Sequence, residues 1–169
     1  MFYTGIFAAL KGKGRSPRIA VWEGCACALF AVAFVFSIFA RRVEFLDEGG
    51  AVVLSFPLYL GESFSTEYIH SVQLCPVVDE YYAVGNFLWL WEERTQSTNA
   101  GLPTEAPRLG RFVHDPPWYR YIGGRRAFKA LNLRVGDART GRNVLTLPTG
   151  EKVDLFERFT GALLTMRLR

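Results

Sequence analysis

The sequence predicts a mainly β protein, an antiparallel β-sandwich or partly open barrel, preceded by one N-terminal transmembrane helix. Three observations predict it. After residue 42 the apolar runs are short, mostly of period two, and bounded by Gly, Pro, Asn or Asp. Residues 19–40 form an apolar run whose only charge is Glu23 at its edge. Outside that run no long stretch repeats its apolar residues with period 3.6. Half the residues are apolar and 15% are aromatic, which excludes a disordered chain.

The first element is a basic segment, 1–18, with Lys11, Lys13, Arg15 and Arg18. The second, 19–40, is long enough to span a bilayer, since a spanning helix needs roughly 20 apolar residues. Arg41 and Arg42 follow it, then Glu44, Asp47 and Glu48. More basic residues before the run than after it put the N-terminus in the cytoplasm. Residues 41–169 are then expected outside the bacterial inner membrane, as a periplasmic or extracellular domain. A cleaved signal peptide is the competing reading. The run exceeds the ~7–15 residues of such a segment, and Arg41 spoils the cleavage site, so an uncleaved anchor is favoured.

The expected strands follow in order. AVVLSFPLYL (51–60) comes after the turn signal DEGG, FSTEYIHSV (64–72) after GES, VVDEYYAV (77–84) after Cys75-Pro76, and NFLWLWEE (86–93) after Gly85. Later runs are YRYIG (119–123), AFKALNLRV (127–135), NVLTLP (143–148), EKVDLFE (151–157) and ALLTMRLR (162–169). ERFTGALL has a helical turn as its alternative. The connection from Thr95 to Trp118 is long and rich in Pro and Gly, the pattern of a functional or poorly ordered loop.

Cysteine and charge narrow the function. Cys75 is alone in the expected exported part, so that part has no internal disulfide, and no Cys/His spacing marks a zinc site. Neither a metal nor an organic cofactor is expected. Residues 41–105 carry three Arg against ten carboxylates, and residues 106–169 carry thirteen Arg and Lys against five. Acidic and basic strands pairing within a sheet explain this, as does a basic face for an anionic ligand. Nucleic acid is excluded as a partner, for there is no recognition motif and the compartment is wrong.

The candidate site lies in EYIHSVQLCPVVDEYY (67–82). A hairpin turning at residues 73–76 sets His70 opposite Asp79 or Glu80. Such a pair staples a sheet, grips a ligand, or serves catalysis. Ser71 cannot complete a triad with His70, because strand neighbours point to opposite faces. Trp89 and Trp91 with Phe87 line one face of a strand, as core or as an aromatic platform. Gly101 in NAGLP (99–103) suits a positive φ. His114-Asp115 is too small a set to specify a metal. Arg125, Arg126 and Lys129 follow a Gly-Gly turn and suit a carboxylate or phosphate, or a solvated hairpin end.

YIHSV at 68–72, Pro76-Val77, Glu80 and NAGLP at 99–103 together resemble the bacterial family catalogued as domain of unknown function 1850. The resemblance covers roughly residues 50 to 157. Asn99 stands where that family typically has Gly, and Gln73 where an acidic residue is common. The resemblance implies small proteins behind a signal or membrane segment, encoded beside tripartite TRAP transporters of the TAXI type. It implies no reaction. The positions matching its motif are His70, Ser71, Val72, Pro76, Glu80, Gly101, Leu102 and Pro103.

The expectation is a membrane-anchored extracytoplasmic accessory or binding domain of a TRAP-type (TAXI) transporter. Its partners would be the transporter's membrane component or solute-binding protein, or a small anionic solute. His70, Ser71, Asp79, Glu80, Gly101, Leu102, Pro103, Arg125 and Arg126 are the contact residues expected. A hydrolase-like enzyme using His70 with Glu80 or Asp79 is the alternative.

Overall fold

The structure, a computed structural model, describes residues 25–30, 32, 34, 41–99 and 101–169. The chain divides into two units, Met1–Ile38 and Phe39–Arg169. In the first, the described residues are helical and exposed. The transmembrane segment expected over 19–40 lies largely outside the described residues. Among those, no helix is long and apolar enough to cross a membrane.

The second unit is mainly β, and its sheet partners are antiparallel. One sheet runs β2-β1-β12-β9, made of Arg41–Leu46 (β1), Val52–Leu58 (β2), Ala130–Arg134 (β9) and Leu163–Leu168 (β12). The other runs β11-β10-β3-β4-β5-β7-β6. Its strands are Ser63–Ile69 (β3), Pro76–Val84 (β4), Phe87–Thr95 (β5), Gly110–Asp115 (β6), Trp118–Gly123 (β7), Gly141–Thr146 (β10) and Lys152–Asp154 (β11). Ala127–Phe128 (β8) pairs with the start of β5, whose end pairs with β7.

The period-two pattern explains why the strands form where they do. In β12, Leu164, Met166 and Leu168 are buried while their neighbours are half-buried. In β3 it is Phe64 and Thr66 that turn inward. The inward residues of both sheets meet in one cluster that includes Val43, Phe45, Phe56, Leu58, Phe64, Tyr81, Leu145, Leu164 and Met166. Phe56 of the small sheet meets Phe64 of the large one edge-on at 5.2 Å, and Phe64 stacks on Tyr81 at 5.3 Å. Each such ring removed from water contributes about 2–3 kcal/mol.

Two strands differ from the sequence expectation. Arg41–Leu46 pairs with both β2 and β12, although its two leading arginines read as a membrane flank. Its Glu44 is 2% exposed and is held by Arg167 at 2.9 Å. The Thr95–Trp118 connection contains β6, an edge strand with four of its six residues exposed, joined to β7 through a cis Pro116-Pro117 bond. An edge strand wetted on both faces lacks the apolar alternation by which strands are read. The acidic first half and basic second half answer one another: Glu44 meets Arg167, Glu92 meets Arg120, and Glu93 meets Arg126. A helical turn forms at Leu155–Arg158, starting ahead of the ERFTGALL stretch that offered one, and it ends the 151–157 strand at Asp154.

Candidate functional site

The hairpin of the opening motif turns earlier than its sequence implies. Ile69 pairs with Pro76, Thr66 with Asp79 and Ser65 with Glu80. His70 therefore lies beyond the last strand pair and opposes neither carboxylate. The reason is the loop. Residues 70–75 form a six-residue turn in which the His70 carbonyl accepts from Leu74 N–H at 2.8 Å and His70 N–H donates to Cys75 O at 2.9 Å. Leu74 takes the left-handed conformation at φ 50° to close it. The imidazole Nδ1 accepts from the backbone N–H groups of Val72 (3.3 Å) and Gln73 (3.2 Å), so the ring caps its own turn. Ser71 is exposed at the turn's outer edge.

Asp79 and Glu80 are separated by the strand's alternation. Glu80 faces outward, where its Oε1 accepts from Ser63 Oγ at 2.8 Å and from Tyr82 OH at 3.4 Å. Asp79 faces inward, into a cavity of about 340 Å³ between the two sheets. Thr66 and Tyr68 of β3, Tyr81 of β4, Leu90 of β5, Phe128 of β8 and the β9 residues 131–134 line it. The carboxyl group there is poorly matched. Its Oδ2 has one long contact, accepting from Tyr81 OH at 3.4 Å, and its Oδ1 is sealed from solvent with no partner.

The electrostatics follow from that placement. Burial, with the Glu93 carboxylate as a second cause, pushes the Asp79 carboxyl up to about 7. Glu93 is its cross-strand partner and is itself raised by burial, against the pull of Arg126. Arg126 spends Nη1 on Glu93 Oε2 at 2.9 Å and Nη2 on the Tyr121 carbonyl at 2.7 Å, leaving a buried Nε without a partner. Burial, with Asp79 and Glu93 adding to it, pushes the Tyr68 phenol up to about 12, so it stays neutral. Near pH 7 the cavity thus holds a partly protonated acid among neutral hydroxyls and hydrocarbon.

The 99–103 segment joins this network from the side. Gly101 has φ +87°, the conformation its sequence context suited, and Leu102 is buried. Tyr121, fully buried on β7, donates its hydroxyl to the Pro103 carbonyl, and the Tyr121 carbonyl is the one that holds Arg126. Ser97 Oγ donates to Gln73 Oε1 at 2.9 Å, tying the His70 turn to the same connection. Of the expected contact residues, Asp79, Arg126 and Pro103 are thus linked through Glu93 and Tyr121, with Leu102 buried next to Pro103 in the chain. His70, Ser71 and Glu80 are not.

Arg125 belongs to a second concavity, of about 550 Å³, on the outer face of the large sheet. Trp89, Trp91, Leu109, Arg111 and the Gly123-Gly124 ledge line it. An extra residue in β5, opposite the step from Glu80 to Tyr81, adds Trp91 to this face beside Trp89, with 4.9 Å between ring centroids. Trp89 Nε1 donates to Gly124 O at 2.9 Å, which fixes the ledge. A side chain at Gly124 would put its Cβ 2.9 Å from Pro107 Cβ, so the close approach of the two loops requires glycine. His114 is occupied in stacking on Tyr119 at 4.7 Å. Among the described residues no three His, Cys, Asp or Glu gather as a metal site.

Sequence reasoning missed Tyr68, Glu93 and Tyr121 as members of the site. Tyr68 lies two and four residues after Thr66 and Phe64 in one strand, so alternation puts it on their face, a signal that was there to use. Glu93 and Tyr121 carried none, because their roles depend on pairings between distant strands.

A family model described as a domain of unknown function (DUF1850) matches residues 64–155, over half of the chain and most of the large sheet. No curated protein matches the chain, and no solved structure does.

Proposed function

The chain belongs to the DUF1850 family, and from that premise we propose that residues 41–169 bind a small solute, as an extracytoplasmic accessory to a TRAP-type (TAXI) transporter. The observation that carries binding is the inter-sheet cavity: about 340 Å³, mostly apolar, with the Asp79 carboxyl on its wall held by one long contact, from Tyr81 OH at 3.4 Å. A ligand donor that reaches this carboxyl supplies the hydrogen bond it lacks, worth about 1.5–3 kcal/mol to a charged group. Few convergent polar groups in an apolar concavity are the common form of a small-molecule site.

Binding is favoured over turnover. The hydrolase-like alternative needed His70 beside a carboxylate, and that imidazole accepts two N–H groups of its own turn instead. The transporter association is supported by the motif resemblance, including Leu102 and Pro103 at the margin of the Asp79 network. The tether is supported by the uncharged run within 19–40, which would hold the domain near a membrane partner and raise its effective concentration there. An anionic solute fits the outer groove, where Arg111 and Arg125 are exposed and make no ion pair among the described residues.

The experiment is purification of the full chain from its native membrane in mild detergent. Recovery of the transporter's membrane component or solute-binding protein is the expected result. A reporter fused after Arg169 should be active only outside the cytoplasm. Recovery of neither partner, with the reporter active in the cytoplasm, overturns the accessory role.

A further inference from the structure

We infer that the inter-sheet cavity takes a small amphipathic ammonium ion, its nitrogen seated against Asp79 and its apolar body among the rings and leucines. This rests on the reading of the domain as a solute binder and names the chemistry of that same site.

Charge counting comes first. The buried charged groups around Asp79 are Glu93 from β5 and Arg126 from the turn before β8. Both terminal nitrogens of Arg126 are already used, on Glu93 and on a carbonyl, so two carboxylates share one guanidinium. Asp79 is the member left without a counter-ion. The remaining titratable groups facing it are Tyr68 from β3 and Tyr81 on β4 itself, both neutral phenols. Arg134 of β9 contributes to the wall, but its side chain is 64% exposed and its guanidinium donates to Gly161 O at 3.1 Å and lies 3.9 Å from Glu48. Once ionised, Asp79 therefore gives the cavity a negative charge that no cationic side chain among the described residues pairs directly.

The lining selects the same sign. Tyr68, Tyr81 and Phe128 supply aromatic surface, and ring faces attract cations and repel anions. Asn143 Oδ1 takes Gly136 N–H at 2.7 Å, which ties that amide to the neighbouring turn. Asn132 Oδ1 accepts from Thr165 Oγ1 at 3.1 Å. A carboxylate ligand would add a third negative charge to two acids and one Arg. A neutral alcohol would donate to the Asp79 carboxyl, whose Oδ2 has only the 3.4 Å contact from Tyr81 OH, yet leave the charge count unchanged. An alkylammonium does both, with N–H donors for the carboxylate and a positive charge for the pair. The cavity volume sits near the lower end of the ~300–1,000 Å³ seen for small-molecule sites, which suits a compact body such as a phenyl or short alkyl group.

Protons then compete with the ligand. An alkylammonium has a pKa of about 10 and stays charged, whereas Asp79 titrates near 7. The ammonium binds the carboxylate form, so binding strengthens as pH rises through 7 and weakens below it.

The test titrates the full chain, purified in mild detergent, with phenethylammonium, 3-phenylpropanoate and 2-phenylethanol, read by calorimetry against protein-free detergent. The expected result is that phenethylammonium binds at least tenfold tighter than either other probe at pH 8. Its affinity should fall about tenfold at pH 6, the ratio for a competing proton with a pKa near 7. Asp79→Asn should erase both the preference and the pH dependence. Tighter binding of 3-phenylpropanoate or 2-phenylethanol overturns the ammonium assignment while leaving the solute-binding reading intact. Binding by none of the three overturns both. Because the pH series uses the unaltered protein, the inference stands or falls even if Asp79→Asn does not fold.

Discussion

Two pairs of carboxylates stand one residue apart on the same two strands and live in opposite worlds. On the outer face, Glu80 pairs across to Glu92; on the inner face, Asp79 pairs across to Glu93. Glu92 is 4% exposed yet fully answered, with both oxygens held by Arg120 at 2.8 Å and Arg94 at 3.5 Å. Glu80 has Ser63 and Tyr82. Inside, one Arg serves two acids, and Asp79 keeps a sealed oxygen unpaired. Burial alone does not separate structural acids from functional ones, since Glu92 is the more buried. Completeness of pairing does, because an unanswered group is a stability cost that a purely structural role would have removed.

The comparison breaks most severely at Arg126. Arg126→Ala leaves Glu93 buried without its cation beside Asp79, and should cost about 3–5 kcal/mol in urea unfolding at pH 8. The loss should shrink as pH falls, because burial raises both carboxyls and protonation removes the charge that Arg126 balances. A loss independent of pH would mean that Arg126 acts only through the Tyr121 carbonyl.

Asp79→Asn should move the other way. The folded pKa, near 7, lies above the unfolded value of about 3.9, so the native state holds the extra proton between them. Stability is therefore full below pH 4 and is lost as pH climbs through 7. Removing the charge should raise stability by roughly 2–3 kcal/mol at pH 8 and change little at pH 4. If the variant is destabilised at pH 8, Asp79 is a structural acid like Glu92.

On the outer face Arg120→Ala should cost about 2 kcal/mol, because Glu92 retains only the longer Arg94 contact. Equilibrium urea midpoints for Arg120→Ala and Arg126→Ala together rank the two faces. The smallest effect belongs to His70→Ala, which unpairs two N–H groups of an exposed turn and should cost about 1 kcal/mol. Its probe binding should match that of the unaltered chain. Loss of binding in that variant would return the histidine to the site.

Most of the strands were legible because one face of each is buried, which writes alternation into the sequence. RRVEFL was not, for its two arginines and its buried Glu44 disguise a core strand whose charge is met by Arg167, 123 residues later. The 110–115 strand was illegible because an edge strand needs no apolar face. Register failed at the opening motif for a local reason: the turn is closed by Leu74 at positive φ, where Gly or Asn would have announced it. That shift carried His70 away from Asp79. The acid itself was legible as a carboxylate among Val77, Val78 and Tyr81. Its isolation was not, since that depends on how Arg126 divides its donors between strands.

The pairing of β1 with β12 also bears on how the domain is made. The first strand finds its central neighbour only when residues 163–168 arrive, more than a hundred positions later. At about 5–20 residues per second of synthesis, β1 waits many seconds with Val43 and Phe45 uncovered. The large sheet can assemble in the interval. The small sheet closes only once β12 is delivered, and a stop before residue 163 would leave a nascent product with Val43 and Phe45 open to chaperones and proteases.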